Sequence, residues 1–174
     1  AATSPGCTYT LSGVETQISI APGGQYDILS HNFAGQSSSR RLYGCGGTDK
    51  PFEFDGTIYV PINIGTSNAP TQIVIHREHL MFGVASSVIH SGPGLPYQFN
   101  AAVGGAEFAL GDTITNFLPQ PGDTQNATLS ITTKSNVHTL YGTSALNWQL
   151  VGQNTGVMGI ANTGGRLNQS YWMG

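Results

Sequence analysis

Polar and apolar residues trade places at every step through much of this chain, and that rhythm of two is the signature of strands buried on one face. Thr128-Leu129-Ser130-Ile131-Thr132 alternates without a break, and Leu146, Trp148 and Leu150 take one face while Asn147 and Gln149 take the other. Val14-Glu15-Thr16-Gln17-Ile18-Ser19-Ile20, Ile58-Tyr59-Val60 with Ile62, and Ile73-Val74-Ile75 read the same way. Pro61 puts its strand at a sheet edge or a bulge, because proline has no amide hydrogen to give a neighbour. Further strands are predicted at 25–29, 80–84, 96–101, 106–110, 113–117 and 157–161. The stretch 79–90 could hold a helical turn, but Gly83 and the β-branched Val84, Val88 and Ile89 favour strand and loop.

Between these runs stand Pro22-Gly23-Gly24, Gly46-Gly47, Gly92-Pro93-Gly94, Gly104-Gly105, Gly111-Asp112 and Pro121-Gly122-Asp123, all of them turn chemistry. An all-β fold follows, in the form of a two-sheet sandwich with loops gathered at its ends. No internal repeat is evident. The chain reads as one domain over 1–165, with 166–174 a closing segment that begins a linker.

Composition narrows the function. Of 174 residues only 9% are charged, 24 are glycine, and the formal net charge is −3. With no basic cluster beyond Arg40-Arg41, neither a nucleic-acid backbone nor an anionic membrane surface is an expected partner. No apolar run reaches the length of a membrane span, and the start at Ala1 reads as a mature form after signal-peptide removal or as an excised piece. The two cysteines, Cys7 and Cys45, lack zinc spacing; a disulfide is the simplest reading, with two buried free thiols as the alternative. Such a bridge would contribute about 3–4 kcal/mol and would place the protein outside the cytoplasm.

Candidate chemistry is sparse. His76-Arg77-Glu78-His79 superficially resembles a zinc helix, but its histidines lie three apart at the end of a strand, where they are expected on opposite faces. A site that uses His76, His79 or His138 is kept as an alternative; no metal or cofactor is expected. There is no Gly-x-Ser-x-Gly elbow, Asp112 and Asp123 follow glycine in turns, and the glycine-rich stretches lack Lys-Ser/Thr. The sequons at Asn126 and Asn168 carry meaning only in a eukaryotic secretory protein. A surface of neutral hydrogen-bonding side chains with scattered aromatic rings remains, suited to capturing a sugar or peptide without catalysis.

Several segments together resemble the N-terminal receptor-binding domain of chaperone-usher fimbrial tip adhesins. They are the early Cys7 with its later partner Cys45, the run from Ile18 through Pro22-Gly23-Gly24-Gln25 to Asp27-Ile28-Leu29, Pro121-Gly122-Asp123 leading into 127–133, and Leu146-Asn147-Trp148-Gln149-Leu150-Val151 through Thr163-Gly164-Gly165. The resemblance implies an elongated, immunoglobulin-like β-sandwich with one disulfide, Cys7–Cys45, and a shallow receptor site at its tip. The segments matching the family's sugar-binding loops carry Asp49 and Asp55, and Asn136, His138 and Tyr141. Six residues precede Cys7 and a Gln-x-Asn pocket pattern is missing, so mannose as ligand does not carry over. The implied protein works outside the bacterial cell, reached through the periplasm, at the fimbrial tip. It binds a host cell-surface glycan or glycoprotein and joins pilin subunits through a further domain. A secreted polysaccharide-active enzyme and a structural pilin are the alternatives; the six residues before Cys7 are too short and too polar a segment to act as a pilin donor strand.

Overall fold

The computed structural model describes residues 7–11, 14–18, 25–120, 127–156, 159–167 and 170–172. Its strands are β1 (Cys7–Leu11), β2 (Val14–Ile18), β3 (Asp27–His31), β4 (Arg41–Cys45), β5 (Phe52–Phe54), β6 (Tyr59–Pro61), β7 (Gln72–His76), β8 (His79–Val84), β9 (Ser87–His90), β10 (Ala106–Ala109), β11 (Ile114–Pro119), β12 (Leu129–Thr133), β13 (Asn136–Tyr141), β14 (Gln149–Thr155), β15 (Gly165–Leu167) and β16 (Ser170–Trp172). Two short 3-10 turns, Ser37–Ser39 and Ala101–Val103, are the described helical pieces. The all-β expectation therefore holds.

The sheets are not those of an immunoglobulin-like sandwich. Among the described residues each four-stranded sheet is a run of consecutive antiparallel strands: β3-β4-β5-β6, β7-β8-β9-β10 and β11-β12-β13-β14, with β1-β2 and β15-β16 as separate hairpins. No strand crosses from one of these sheets to another, as a Greek-key sandwich requires. The first strands start at Asp27, Gln72 and Ile114, a recurrence of about 40–45 residues typical of arrayed four-stranded units. That repeat of structure is not accompanied by a repeat of sequence motifs, which is why the chain shows none on inspection.

β7 packs against both β3 and β11, so the first strand of each sheet lies innermost and the sheets stack side by side. The middle sheet is consequently covered on both faces, and all six residues of β8 are buried. Alternate side chains then go to different cores. Ile73, Leu80, Phe82, Val84 and Ile89 join Tyr43, Cys45, Ile62 and Ile64 against the first sheet. Val74, Met81 and Val88 join Ile114, Phe117, Leu129, Ile131 and Leu140 against the third. The edge strand β6 contains Pro61, in keeping with proline's missing donor, and Phe52 lies across Gly44 while stacking on Tyr59 at 4.3 Å.

Four further expectations need correction. Cys45 is a buried free thiol packed into the first core, so the Cys7–Cys45 disulfide is not formed; the side chain of Cys7 lies outside the described residues. Residues 96–100 form a loop rather than a strand, since Pro96 and the turn at Ala101–Val103 interrupt any ladder. Alternation at 146–150 reflects a strand only from Gln149 onward, and Leu146 is 99% exposed in the preceding loop. His76 and His79 do not face opposite ways: a two-residue hairpin makes them cross-strand partners on one face. The predicted turns at 22–24 and 121–123, the sequons' asparagines and the start of the predicted strand 157–161 lie outside the described residues, while 159–161 are not in a strand.

Candidate functional site

In a stack of meanders the hairpin loops alternate between two ends of the molecule, and that geometry separates the residues implied by the adhesin resemblance. Asp49 lies in the β4–β5 loop beside a small recess of about 90 Å³ that it shares with Asn63 and Asn68. Asp55 lies in the β5–β6 loop, at the opposite end of the same sheet. Its carboxylate accepts the amides of Thr57 (2.8 Å) and Ile58 (2.7 Å), bonds that hold it below the usual carboxylate range. This is a turn-forming role.

Asn136, His138 and Tyr141 run along β13 in the third sheet, so the whole second sheet stands between them and both aspartates. The Asn136 amide donates to Thr133 Oγ1 at 3.1 Å, the half-buried His138 lies beside Gly152, and the exposed Tyr141 hydroxyl accepts from Gln153 Nε2 at 3.2 Å. The five residues form no common site.

A different group converges. On the face of the first sheet that meets the second, β4 presents Arg41 and Tyr43, and the register places Glu53 of β5 opposite Tyr43. Leucine, tyrosine and cysteine fill this interface further along, but towards the β3–β4 loop the apolar core gives way to a cleft of about 300 Å³. Phe33, Ser39, Arg41, Tyr43 and Glu53 line it from the first sheet, and Gly94, Pro96 and Tyr97 from the long 91–105 loop of the second. The two sheets thus supply opposing walls.

Glu53 is the electrostatic centre of the cleft. Its side chain is only 13% exposed, so its charge needs partners. Arg41 Nε lies 3.6 Å from its carboxylate, and the phenols of Tyr43 and Tyr97 lie close enough to feel its charge. Burial, followed by the influence of the nearby Glu53, pushes both phenols well above their ordinary range, so both stay protonated. Arg41 Nη1 also donates to the carbonyls of Ser38 and Arg40, each at 3.2 Å, which fixes the guanidinium plane. Phe33 stands edge-on to Tyr43, their ring centroids 5.5 Å apart. Arg41 and Glu53 compensate each other's charge, yet together they offer both donors and acceptors beside aromatic rings.

Sequence reading passed over this group. Arg41 was visible only as half of the lone basic pair. Glu53 carried a signal of its own, a single acid between Phe52 and Phe54, but nothing local tells which face of β5 is covered. Tyr97 lies in a loop whose path depends on tertiary packing.

A second cluster lies between the second and third sheets. His76, His79 and His90 are buried around Trp148 from the β13–β14 loop, with ring centroids 6.1, 4.8 and 4.9 Å from the indole. Burial lowers the pKa of all three below the ordinary 6.5, His76 to about 4. Among the described residues no group of three or more His, Cys, Asp or Glu is arranged to hold a metal ion.

No family model matches the chain, and no curated protein matches it. Among solved structures it is similar to the crystal structure of BBS1N in complex with ARL6DN, at 14% identity and a TM-score of 0.53 over 90% of this chain. The chain spans 47% of the length of that one, a β-propeller fragment. The likeness is one of fold: consecutive four-stranded meanders with their first strands innermost are how propeller blades are arranged.

Proposed function

We propose that this chain is a recognition module that holds a neutral glycan in the cleft between its first two sheets and performs no chemistry on it. The observation that carries the reading is the charge-compensated Arg41–Glu53 pair set between aromatic walls. Neighbouring sugar hydroxyls both donate and accept, so a guanidinium beside a carboxylate can satisfy a diol without favouring a charged ligand. The apolar C–H face of a pyranose suits the half-exposed ring of Tyr97. Rigid strands carry Arg41, Tyr43 and Glu53, which keeps the donors and acceptors oriented before the ligand arrives.

Glycan hydrolysis is the rival reading, and it calls for two carboxylates across the groove, roughly 5–10 Å apart. The residues lining this cleft include one, Glu53, engaged by Arg41, and the neighbouring Asp55 is taken up by the Thr57 and Ile58 amides, which supports binding over hydrolysis. The fimbrial-tip setting rests on sequence segments alone. The disulfide-stapled sandwich it entails is not what the described residues form, so we carry forward only its coarser element, attachment through a glycan.

Purified protein on an array of neutral and acidic glycans tests this. Binding to neutral members is expected, with Arg41→Ala and Tyr97→Ala each weakening it about tenfold or more, a loss of about 1.4 kcal/mol, while Asn136→Ala binds as the parent does. Background signal on every neutral glycan, or full binding by both cleft variants, would overturn the proposal.

A further inference from the structure

The wall of the cleft that carries Tyr97 is fastened at Ser91, whose amide donates to Leu80 O at 2.9 Å and whose carbonyl is clasped by two histidines. Nδ1 of His79 and Nδ1 of His90 both donate to the Ser91 carbonyl. The same serine's hydroxyl accepts the Leu80 amide (3.0 Å) and donates to Gly92 O (2.8 Å). From there the loop runs through Gly94, whose amide donates to Glu78 O at 2.7 Å, to Pro96 and Tyr97 in the cleft. The two clasping imidazoles are 3% and 2% exposed, their ring centroids only 5.2 Å apart. Behind them Nε2 of His76 and Nε1 of Trp148 are buried without a hydrogen-bond partner, so the closed arrangement already bears an uncompensated polar cost.

We propose that His79 and His90 form an acid-sensitive clasp on Ser91, and that acidification loosens the 91–105 loop and with it the Tyr97 wall of the cleft. Two imidazolium ions could not share this space without repulsion in a poorly solvated setting. The surrounding charges give little relief. Arg77, beside His76, adds repulsion, and Glu78 opposes it at His79 but is engaged by His31 at 3.1 Å. Glu107 of β10 is in register with Ile89 and so lies on the other face of the sheet; Phe108 and Trp148 are neutral; His138 of β13 faces the same interface from the third sheet and brings no negative charge.

The sign follows from burial, which outweighs the opposing pull of the Ser91 hydrogen bonds, since these favour the charged rings. In the closed form the imidazoles titrate below 6.5, and once solvated they return to it, so the open form binds more protons as the pH falls. Closure is therefore fully favoured above about 6.5 and lost progressively below it, His76 being the last to charge, at about 4. The effect on a ligand rests on the function proposed above; the clasp itself does not.

Amide hydrogen exchange on the intact chain, corrected for the intrinsic effect of pH, is the test. Protection at Gly92, Gln98 and Gly105 should drop at least tenfold between pH 7.5 and 5.0 while Met81 and Phe82 in β8 keep theirs. A His79→Gln, His90→Gln double variant should lose the pH dependence. Should that variant not fold, the imidazole nitrogen shifts of the unmodified protein decide: His79 and His90 must titrate together with the loop's loss of protection. Unchanged loop protection at pH 5.0, or an equal loss in β8, overturns the clasp. Because exchange is read without ligand, a blank glycan array leaves this test standing.

Discussion

Cys45 shows how much a residue's role depends on what surrounds it. In sequence it is a glycine-flanked cysteine with a distant partner; in the fold it is a small apolar side chain in the first core, beside the Asp27 carboxylate at the head of β3. Burial and the Asp27 charge push its thiol far above the ordinary value, and a protonated, inaccessible thiol is a poor nucleophile. Cys45 should therefore resist iodoacetamide in the native protein and react fully after denaturation, as peptide mass mapping would show. Prompt native labelling at this position, or a Cys7–Cys45 linked peptide from a non-reducing digest, would refute the environment described. Asp55 and Glu53 make the same contrast. Both are acids near aromatic residues, yet Asp55, in the β5–β6 turn, accepts turn amides, whereas Glu53, within β5, is turned into the cleft beside Arg41.

At the scale of elements, the β7–β8 hairpin departs from local preference. Arg77 and Glu78 form its two-residue turn with φ of 54° and 59°, the left-handed region of a type I′ turn where Asn-Gly is the favoured pair. Side chains with a Cβ pay conformational strain there. Arg77 receives something in return, since its Nη2 donates at 2.8 Å to Ala127 O, just ahead of β12, whereas the Glu78 side chain has only a half-exposed contact with His31. Glu78→Gly should thus raise the unfolding free energy by about 0.5–1 kcal/mol, measured by urea titration; a loss of stability would mean that the His31 contact outweighs the strain. The turn also explains the misplaced histidines. Three-residue spacing along a continuous strand sets His76 and His79 on opposite faces, but two of the intervening steps are a reversal, and cross-strand partners share a face.

The molecule as a whole has two cores divided by one sheet. Leu80 and Met81 are neighbours in β8, both fully buried, and they point into different clusters. Leu80→Ala and Met81→Ala should each cost about 2–5 kcal/mol through lost transfer free energy and residual cavity. Because the two side chains share no packing partners, the double variant should lose the sum to within about 0.5 kcal/mol. A coupling beyond about 1 kcal/mol in denaturant titrations would argue for one continuous core and against the stacked-sheet architecture.

What the sequence determined by itself is the local part. Alternation with period two, β-branched enrichment and glycine turns specify strands wherever each residue's own pleat and neighbours suffice, and β7, β8, β10, β11 and β12 fall where those rules put them. Tertiary structure alone decided how the sheets are arranged, because a half-buried strand reads the same in a sandwich as in a stack of meanders. It also decided the site. Arg41 and Glu53 meet Tyr97 across an inter-sheet gap, a long-range contact to which no local pattern is sensitive, and His79 meets His90 and Ser91 only because the β8–β9 hairpin sets them side by side.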